Sequence, residues 1–437
     1  MMTDAMTARL KPLQPGRTSL VAVLDIGSTK MCCVIARLVP RPEGRALKGR
    51  THTAEVIGFG YGPSAGIKSG FIADLGKAEQ AVRTVVGMAE RGANLTVQSV
   101  IVNVSAGRLG SETFSATVNL GGQDVERADI QRVLKAVNER SVRQERAIIH
   151  AMPIGYAIDG HKGIREPKGL VGETLGVDVA VVSAETLAMR NIELVLNRCH
   201  LQVEAFMATP YASGLSTLVE DEADLGVACI DFGGATTTVS VFMDGALVYA
   251  DALAIGGHHL TMDLARQLSI SVADAERLKT MYGSVLPGIT DERELIPITP
   301  VGVSVDEAPA QITRAQITRI IRPRVEEMLT AVGERMQATG MMDVAGRRFV
   351  LTGGGSELTG LTEVARRVLS RNVRSGRPMG ISGLPDMARG AGFAAVSGML
   401  IYPQVCINEY TPPHSLAKLT GTDGYFARVG SWLRSSF

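Results

Sequence analysis

Leu24-Asp25-Ile26-Gly27-Ser28-Thr29, Ile230-Asp231-Phe232-Gly233-Gly234-Ala235-Thr236 and Leu351-Thr352-Gly353-Gly354-Gly355-Ser356 decide how this chain is read. The first two follow apolar runs (Ser19–Leu24, Val227–Ile230) and lead into others (Met31–Leu38, Thr238–Met243), so each predicts a strand, a tight turn and a strand. A matched pair this far apart predicts two lobes built from one ancestral unit rather than a tandem repeat. The third follows Phe349–Thr352 and precedes a helical pattern from Leu361 to Leu369, a corner receptive to anions. A nucleoside triphosphate needs many donors at short range, and glycine lets backbone N–H groups converge where a Cβ would intrude. Asp25 and Asp231 can orient Mg²⁺ or its waters, because Mg²⁺ takes oxygen ligands and keeps much of its hydration. Ser28, Thr29 and Thr236 add hydroxyls, while Lys30 either balances charge or points to solvent. One Asp-x-Gly hairpin is weak evidence, since such turns are common; two matched hairpins followed by Thr-Gly-Gly-Gly are strong evidence. The sequence has neither a Walker A loop nor a GxGxxG after an early strand. The expectation is an α/β, two-lobed fold around one ATP with Mg²⁺. The expected cofactor contacts include Gly27, Gly233, Gly234, Gly353, Gly354, Gly355 and Ser356.

Length and composition agree with this. A chain of 437 residues is too long for one core and suits two to four domains. Its 45% hydrophobic and 20% charged residues fit a soluble globular protein with covered sheets. A net charge of +1 gives no global field for nucleic acid, and Arg314, Arg319, Arg322 and Arg324 fall on a helical pattern that reads as a solvated face. No nucleic-acid partner is expected. Cys32, Cys33, Cys199, Cys229 and Cys406 show no CxxC spacing and several sit in apolar runs, which predicts core cysteines in a reducing cytoplasm and no zinc. The first 18 residues lack a signal peptide's apolar region and read as a disordered lead. Uncharged Gly390–Asn408 is diluted by Gly392, Ser397, Gly398, Pro403 and Gln404, so it reads as a buried helix followed by a loop, not a span of ~20 residues.

Between the hairpins, Val97–Val104 and Thr113–Leu120 read as strands, followed by a helix with Ile130, Val133, Leu134 and Val137 on one face. Ala147–Ile154 and Val177–Val182 read as further strands, which makes this a compact α+β insertion. Ala188, Ile192, Val195, Leu196 and Cys199 mark a helix returning to the first lobe. Two trios, Ala208, Ala212, Ser216 and Gly390, Ala394, Gly398, place small residues at four-residue spacing, so two helices can cross closely as inter-lobe connectors and a hinge. The expected division gives 1–18 as lead and 19–93 with 181–226 and 386–405 as first lobe. Residues 94–180 form the insertion, 227–256 with 345–385 the second lobe, and 257–344 its smaller subdomain. Residues 406–423 are then a linker and 424–437 an amphipathic helix.

LDIGST, IDFGGAT and LTGGGSEL resemble the phosphate and adenosine loops of the actin, Hsp70 and sugar-kinase superfamily. By that resemblance DAERLKTMYG (Asp274–Gly283) brings Glu276 and Lys279 to the ribose and adenine; the residues alone read as a helix-surface pair. Those segments, with GYAIDGHKGIREPKGLVGETL (Gly155–Leu175), TRIIRPRVEEML (Thr318–Leu329) and the terminal GSWLRSSF, are similar to the FtsA family of bacterial cell-division proteins, from about Ser19 to Phe437. The resemblance implies an actin-like, ATP-binding protein that tethers FtsZ filaments to the cytoplasmic face of the inner membrane at the division site. It also implies self-association into a filament and recruitment of later divisome membrane proteins. The FtsZ C-terminal tail would dock on 257–344, where Arg314 and Arg319 are candidate contacts for an acidic segment. Three departures stand out: Ala235 replaces a usual third glycine, Thr238 stands where relatives often carry an acid, and Thr209 and Pro210 lie where hydrolysing relatives present a water-orienting Glu or Gln. The expectation is retained ATP binding with slow or absent hydrolysis and no assigned catalytic residue.

At the end of the chain Phe426, Val429, Leu433 and Phe437 fall on one helical face beside Trp432, the only tryptophan, with Arg428 and Arg434 flanking. A detached linker, interfacial aromatics and flanking arginines favour a helix lying in the membrane surface over one docked on the body. Burying Trp432 and two phenylalanines contributes about 2 kcal/mol each, but ordering the tail offsets much of that, so one tail binds lipid weakly and several tails on a polymer bind tightly. The alternatives are a small-molecule kinase, which lacks a candidate catalytic Asp motif, and a pilus-assembly relative, which would not require this tail.

Overall fold

The computed structural model describes residues 10, 13, 14, 16–41, 50–141, 145–302 and 310–410. Each lobe is built outward from its Asp hairpin. Strand Ser19–Ile26 buries Val21 through Ile26 without a break, the pattern of a central strand covered on both faces. It pairs antiparallel with Lys30–Pro40, with Asp25 opposite Cys32, and parallel with Ser99–Val104. His52–Pro63 and Gln202–Ala208 flank these, and Ile381–Ser382 completes six strands. The second lobe repeats the arrangement. Val227–Phe232 pairs antiparallel with Thr237–Met243, with Asp231 opposite Thr238, and parallel with Arg348–Thr352; Ala246–Leu253 and Asn372–Ser375 lie outside them. Five strands thus recur in the same order and directions, as the matched motifs led one to expect.

The insertion corrects two boundaries. Ser99–Val104 lies inside the first lobe's sheet, between Ser19–Ile26 and Gln202–Ala208, so the insertion begins after Val104 and not at residue 94. At its other end Thr174–Glu185 runs unbroken past residue 180. The inserted strands Gly110–Asn119, Thr174–Glu185, Arg146–Ile158 and His161–Ile164 are antiparallel, and helix Arg127–Ser141 covers them with Val133, Leu134 and Val137 in a separate core. Gly110 pairs with Asp251 of the second lobe, and the Ala250 N–H donates to Ser111 Oγ at 2.8 Å. Insertion and second lobe therefore share one nine-stranded sheet.

The two small-residue helices do cross. Helix Thr209–Thr217 packs on Ala394–Val405, where a Cβ at Gly398 would overlap the Ala212 carbonyl oxygen, and Ser216 Oγ donates to Ala394 O at 2.8 Å. Only Ala212, Ser216, Ala394 and Gly398 serve the crossing: Ala208 precedes the first helix and Gly390 is extended chain before a short 3₁₀ turn. Stretch Ala391–Asn408 is apolar and long enough to cross a membrane (mean hydropathy 1.2), yet 67% of it is buried inside the fold.

Both termini also depart from expectation. Leu10 and Leu13, assigned to a disordered lead, pack on the first core. The assigned linker starts inside the fold: Glu409 accepts from buried His150 Nδ1 at 3.0 Å, and the Tyr410 N–H donates to Ala151 O at 2.9 Å. The membrane residues Phe426, Arg428, Val429, Trp432, Leu433, Arg434 and Phe437 lie outside the described residues.

Candidate nucleotide site between the lobes

The two hairpins close with the same bond: Gly27 N–H donates to Lys30 O at 3.1 Å, and Gly233 N–H to Thr236 O at 2.9 Å. They meet tip to tip, because a Cβ at Gly234 would overlap Thr29 Oγ1. The third turn enters from the second lobe with Gly353 in the left-handed region (φ +82°), against the Asp231 carboxylate. A cavity of about 380 Å³ lies among them. Asp25, Gly27, Ser28, Thr29 and Lys30 line it from the first lobe, and Asp231, Gly233, Gly234, Ala235, Thr236, Gly353, Gly354 and Gly355 from the second. Ser356 does not reach it; its buried hydroxyl donates to Gly353 O at 2.7 Å and braces the turn.

Glu276 and Lys279 face this cavity from helix Val272–Tyr282. Lys279 Nζ donates to Glu276 Oε2 at 2.7 Å, Thr261 Oγ1 at 3.0 Å and Gly257 O at 3.1 Å. Burial acts to raise the Glu276 carboxyl's pKa, but hydrogen bonds from Lys279 and Thr261 outweigh it and hold the group below its usual range. Lys30 points inward, not to solvent: its ammonium donates to Gly392 O and stands 3.5 Å from the Phe393 ring centroid.

Two partners of the buried carboxylates escaped the sequence reading. Asn103 Nδ2 donates to Asp25 Oδ1 at 2.7 Å and Thr209 Oγ1 at 3.2 Å, while its Oδ1 accepts from the Ile26 N–H at 2.7 Å. Its signal was available: Asn103 is a lone amide in the apolar run Val100–Val104, and a buried polar group there needs partners. Ser213 Oγ donates to Asp231 Oδ2. Thr238 lines the cavity with a buried Oγ1 that has no hydrogen-bond partner. Burial pushes Asp25 up to about 6, opposed by Lys30 and reinforced by Asp231; burial likewise raises Asp231 against the Ser213 bond and Lys30.

Two desolvated carboxylates, an orphaned hydroxyl and three converging glycine-containing turns fit a triphosphate with a divalent cation, which would favour both charged forms. No group of three or more His, Cys, Asp or Glu able to hold a metal occurs among the described residues. A cation here would therefore complete its shell with phosphate and water, as Mg²⁺ does.

The surface assigned to a partner lies elsewhere, on helix Arg314–Ala338. Arg314 Nη1 reaches Glu294 at 3.4 Å, Arg319 pairs with Glu292, Arg322 with Glu326 and Arg324 with Asp263, so each already faces a carboxylate.

Comparison with known proteins bears on the whole chain. A family model described as "Cell division protein FtsA" matches residues 228–398, and one described as "SHS2 domain inserted in FTSA" matches residues 106–183. The cell division protein FtsA of Rhizobium meliloti (strain 1021) is 52% identical over 430 residues, covering 98% of this chain and 97% of that protein. The Escherichia coli (strain K12) protein of the same name is 28% identical over 425 residues, covering 96% and 98%. Among solved structures, the PilM-PilN type IV pilus biogenesis complex matches with a TM-score of 0.60 over 88% of this chain and 98% of that one, at 15% identity, a likeness of fold alone. The architecture is accordingly actin-like, with an SHS2 insertion in its first half, and the chain belongs to the FtsA family of cell division proteins.

Proposed function

We propose that the cleft binds Mg²⁺–ATP and that the bound nucleotide sets the lobe arrangement of an adaptor tethering FtsZ filaments to the cytoplasmic face of the inner membrane. The observation that carries the nucleotide reading is the tip-to-tip placement of two matched hairpins, each with a buried carboxylate, over one cavity. Mg²⁺, when bound, offsets the phosphate charge. The chain's own residues do the rest: the backbone N–H groups that the closing bonds leave free at the three turns cradle phosphates, Ser28, Thr29 and Thr236 donate hydroxyls, and Glu276 with Lys279 positions the sugar and base. Thr209 stands where a water-orienting acid or amide would, and its hydroxyl oxygen accepts from Asn103. That arrangement supports binding with slow or undetectable turnover, and rapid basal phosphate release would overturn it.

The tethering half of the proposal rests on family membership and on the aromatic and arginine pattern of 424–437. FtsZ's acidic tail is placed on 257–344, where it would exchange with Glu292 at Arg319, a residue 66% exposed. Self-association and recruitment of later division proteins complete the reading. Liposome co-sedimentation with FtsZ, with and without residues 424–437, tests it: loss of FtsZ from the vesicle pellet is expected on truncation. Undiminished FtsZ in that pellet would overturn the tethering mechanism.

A further inference from the structure

A second cavity, of about 450 Å³, opens at the outer edge of the second lobe beside its last strand, Asn372–Ser375. Three arginines line it and their situations differ. Arg374 is engaged through four bonds: Nε and Nη2 hold the Glu222 carboxylate at 2.7 and 2.5 Å, Nη2 also donates to Thr217 O, and Nη1 donates to Ser375 O. Arg366 donates Nε to Val373 O at 3.0 Å, and its terminal amino groups make no bond among the described residues. Arg348 is exposed and has no hydrogen bond or ion pair among the described residues. The only carboxylate lining the cavity, Glu222, is held by Arg374 and also feels the Arg348 charge, while the terminal amino groups of Arg348 and Arg366 make no hydrogen bond or close ion pair among the described residues. Arg347, whose carbonyl accepts from the Asn372 N–H, adds exposed charge beside the cavity, and the run from 364 to 385 contains five arginines and no acid. In a chain of net charge +1 this concentration is local.

We propose that this cavity binds an extended acidic segment of a partner protein, its carboxylates taken by Arg348 and Arg366 alongside strand Asn372–Ser375. Guanidinium forks match carboxylates with two parallel bonds, and the chain displays that match in the Arg374–Glu222 pair. The strand is the outermost of its sheet, but its Val373 and Ser375 carbonyls already accept from Arg366 and Arg374, so the peptide is held by its side-chain carboxylates and not by strand pairing. The charged groups are recessed in a concavity, so a peptide side chain reaches them more readily than a flat lipid surface does. This surface is separate from the 257–344 face proposed for FtsZ and does not depend on it.

The test uses the full-length chain and a fluorescein-labelled hexaglutamate peptide, followed by fluorescence anisotropy at low salt. Replacing Arg348 and Arg366 together (R348Q/R366Q) is expected to weaken binding about tenfold or more, the loss of two charge-assisted bonds, with an unchanged melting temperature. R314Q/R319Q is expected to leave it within about twofold. Absence of binding by the wild-type chain, or an R348Q/R366Q affinity within about twofold of it, overturns the proposal. So does a pattern in which R348Q/R366Q lowers co-sedimentation with phosphatidylglycerol vesicles but leaves the peptide bound, which would assign the surface to lipid.

Discussion

The two Asp hairpins share length, register and closing bond, yet their carboxylates are held by different parts of the molecule. Asp25 takes its hydrogen bond from Asn103, on the neighbouring strand of its own sheet. At the matching place in the second lobe stands Thr352, whose hydroxyl turns away to Gly376 O at 3.1 Å and Ala391 O at 3.4 Å. Asp231 is held instead by Ser213, from the helix that crosses between the lobes. One carboxylate is thus fixed within its lobe, and the other depends on how the connecting helix sits. Duplication preserved the backbone device while the side-chain support diverged.

That contrast can be broken at the crossing. Gly398→Val would force the Ala394–Val405 helix off Ala212 and carry Ser213 from Asp231 while leaving Asn103 on Asp25. A loss of roughly 3 kcal/mol in chemical denaturation is expected, with weakened ATP binding; a wild-type curve would contradict the close crossing. Next in size, Asn103→Ala strips Asp25 and the Ile26 N–H of partners and should cost about 2–3 kcal/mol, against about 1–2 kcal/mol for Ser213→Ala. Equal losses would mean that the two carboxylates are supported alike.

Removing the charges sharpens the comparison in the opposite direction. Because burial disfavours both charged forms, Asp25→Asn and Asp231→Asn are expected to stabilise the nucleotide-free protein by about 1–2 kcal/mol while weakening Mg²⁺–ATP binding. Thermal melting with and without nucleotide reads both effects, and destabilisation of the free protein would show that burial does not dominate. The smallest effect belongs to Ala235→Gly. Ala235 has an ordinary negative φ, so restoring a third glycine should cost about 0.5–1 kcal/mol of chain entropy and leave nucleotide affinity unchanged.

Most of the architecture was legible because its signals are local. Asp25 and Asp231 sit at ends of apolar runs, and their flanking residues alone prescribe strand, turn and strand. The insertion's first boundary was misplaced because Ser99–Val104 looks like any buried strand; only its parallel pairing with Ser19–Ile26 assigns it to the first lobe. Ser213 could not be read for the same reason. A hydroxyl in a helix or a strand acquires meaning from what lies opposite it, and that is fixed by tertiary packing. Ser356 erred the other way: its place in a glycine-rich motif suggested a ligand contact, whereas its hydroxyl bonds the turn's own backbone.

The Gly110–Asp251 pair gives the molecule a second mechanical link between its halves. The insertion is covalently part of the first lobe, leaving it after Val104 and rejoining it at helix Thr186–Arg198, yet its strands continue the second lobe's sheet. With the helix crossing at Gly398, the lobes form a closed frame rather than two leaves on one pivot. Widening the cleft must either part that strand pair or twist the whole sheet. Torsion generated at the hairpins is then delivered to both ends of one lever, His161–Ile164 at one tip and Asn372–Ser375 at the other.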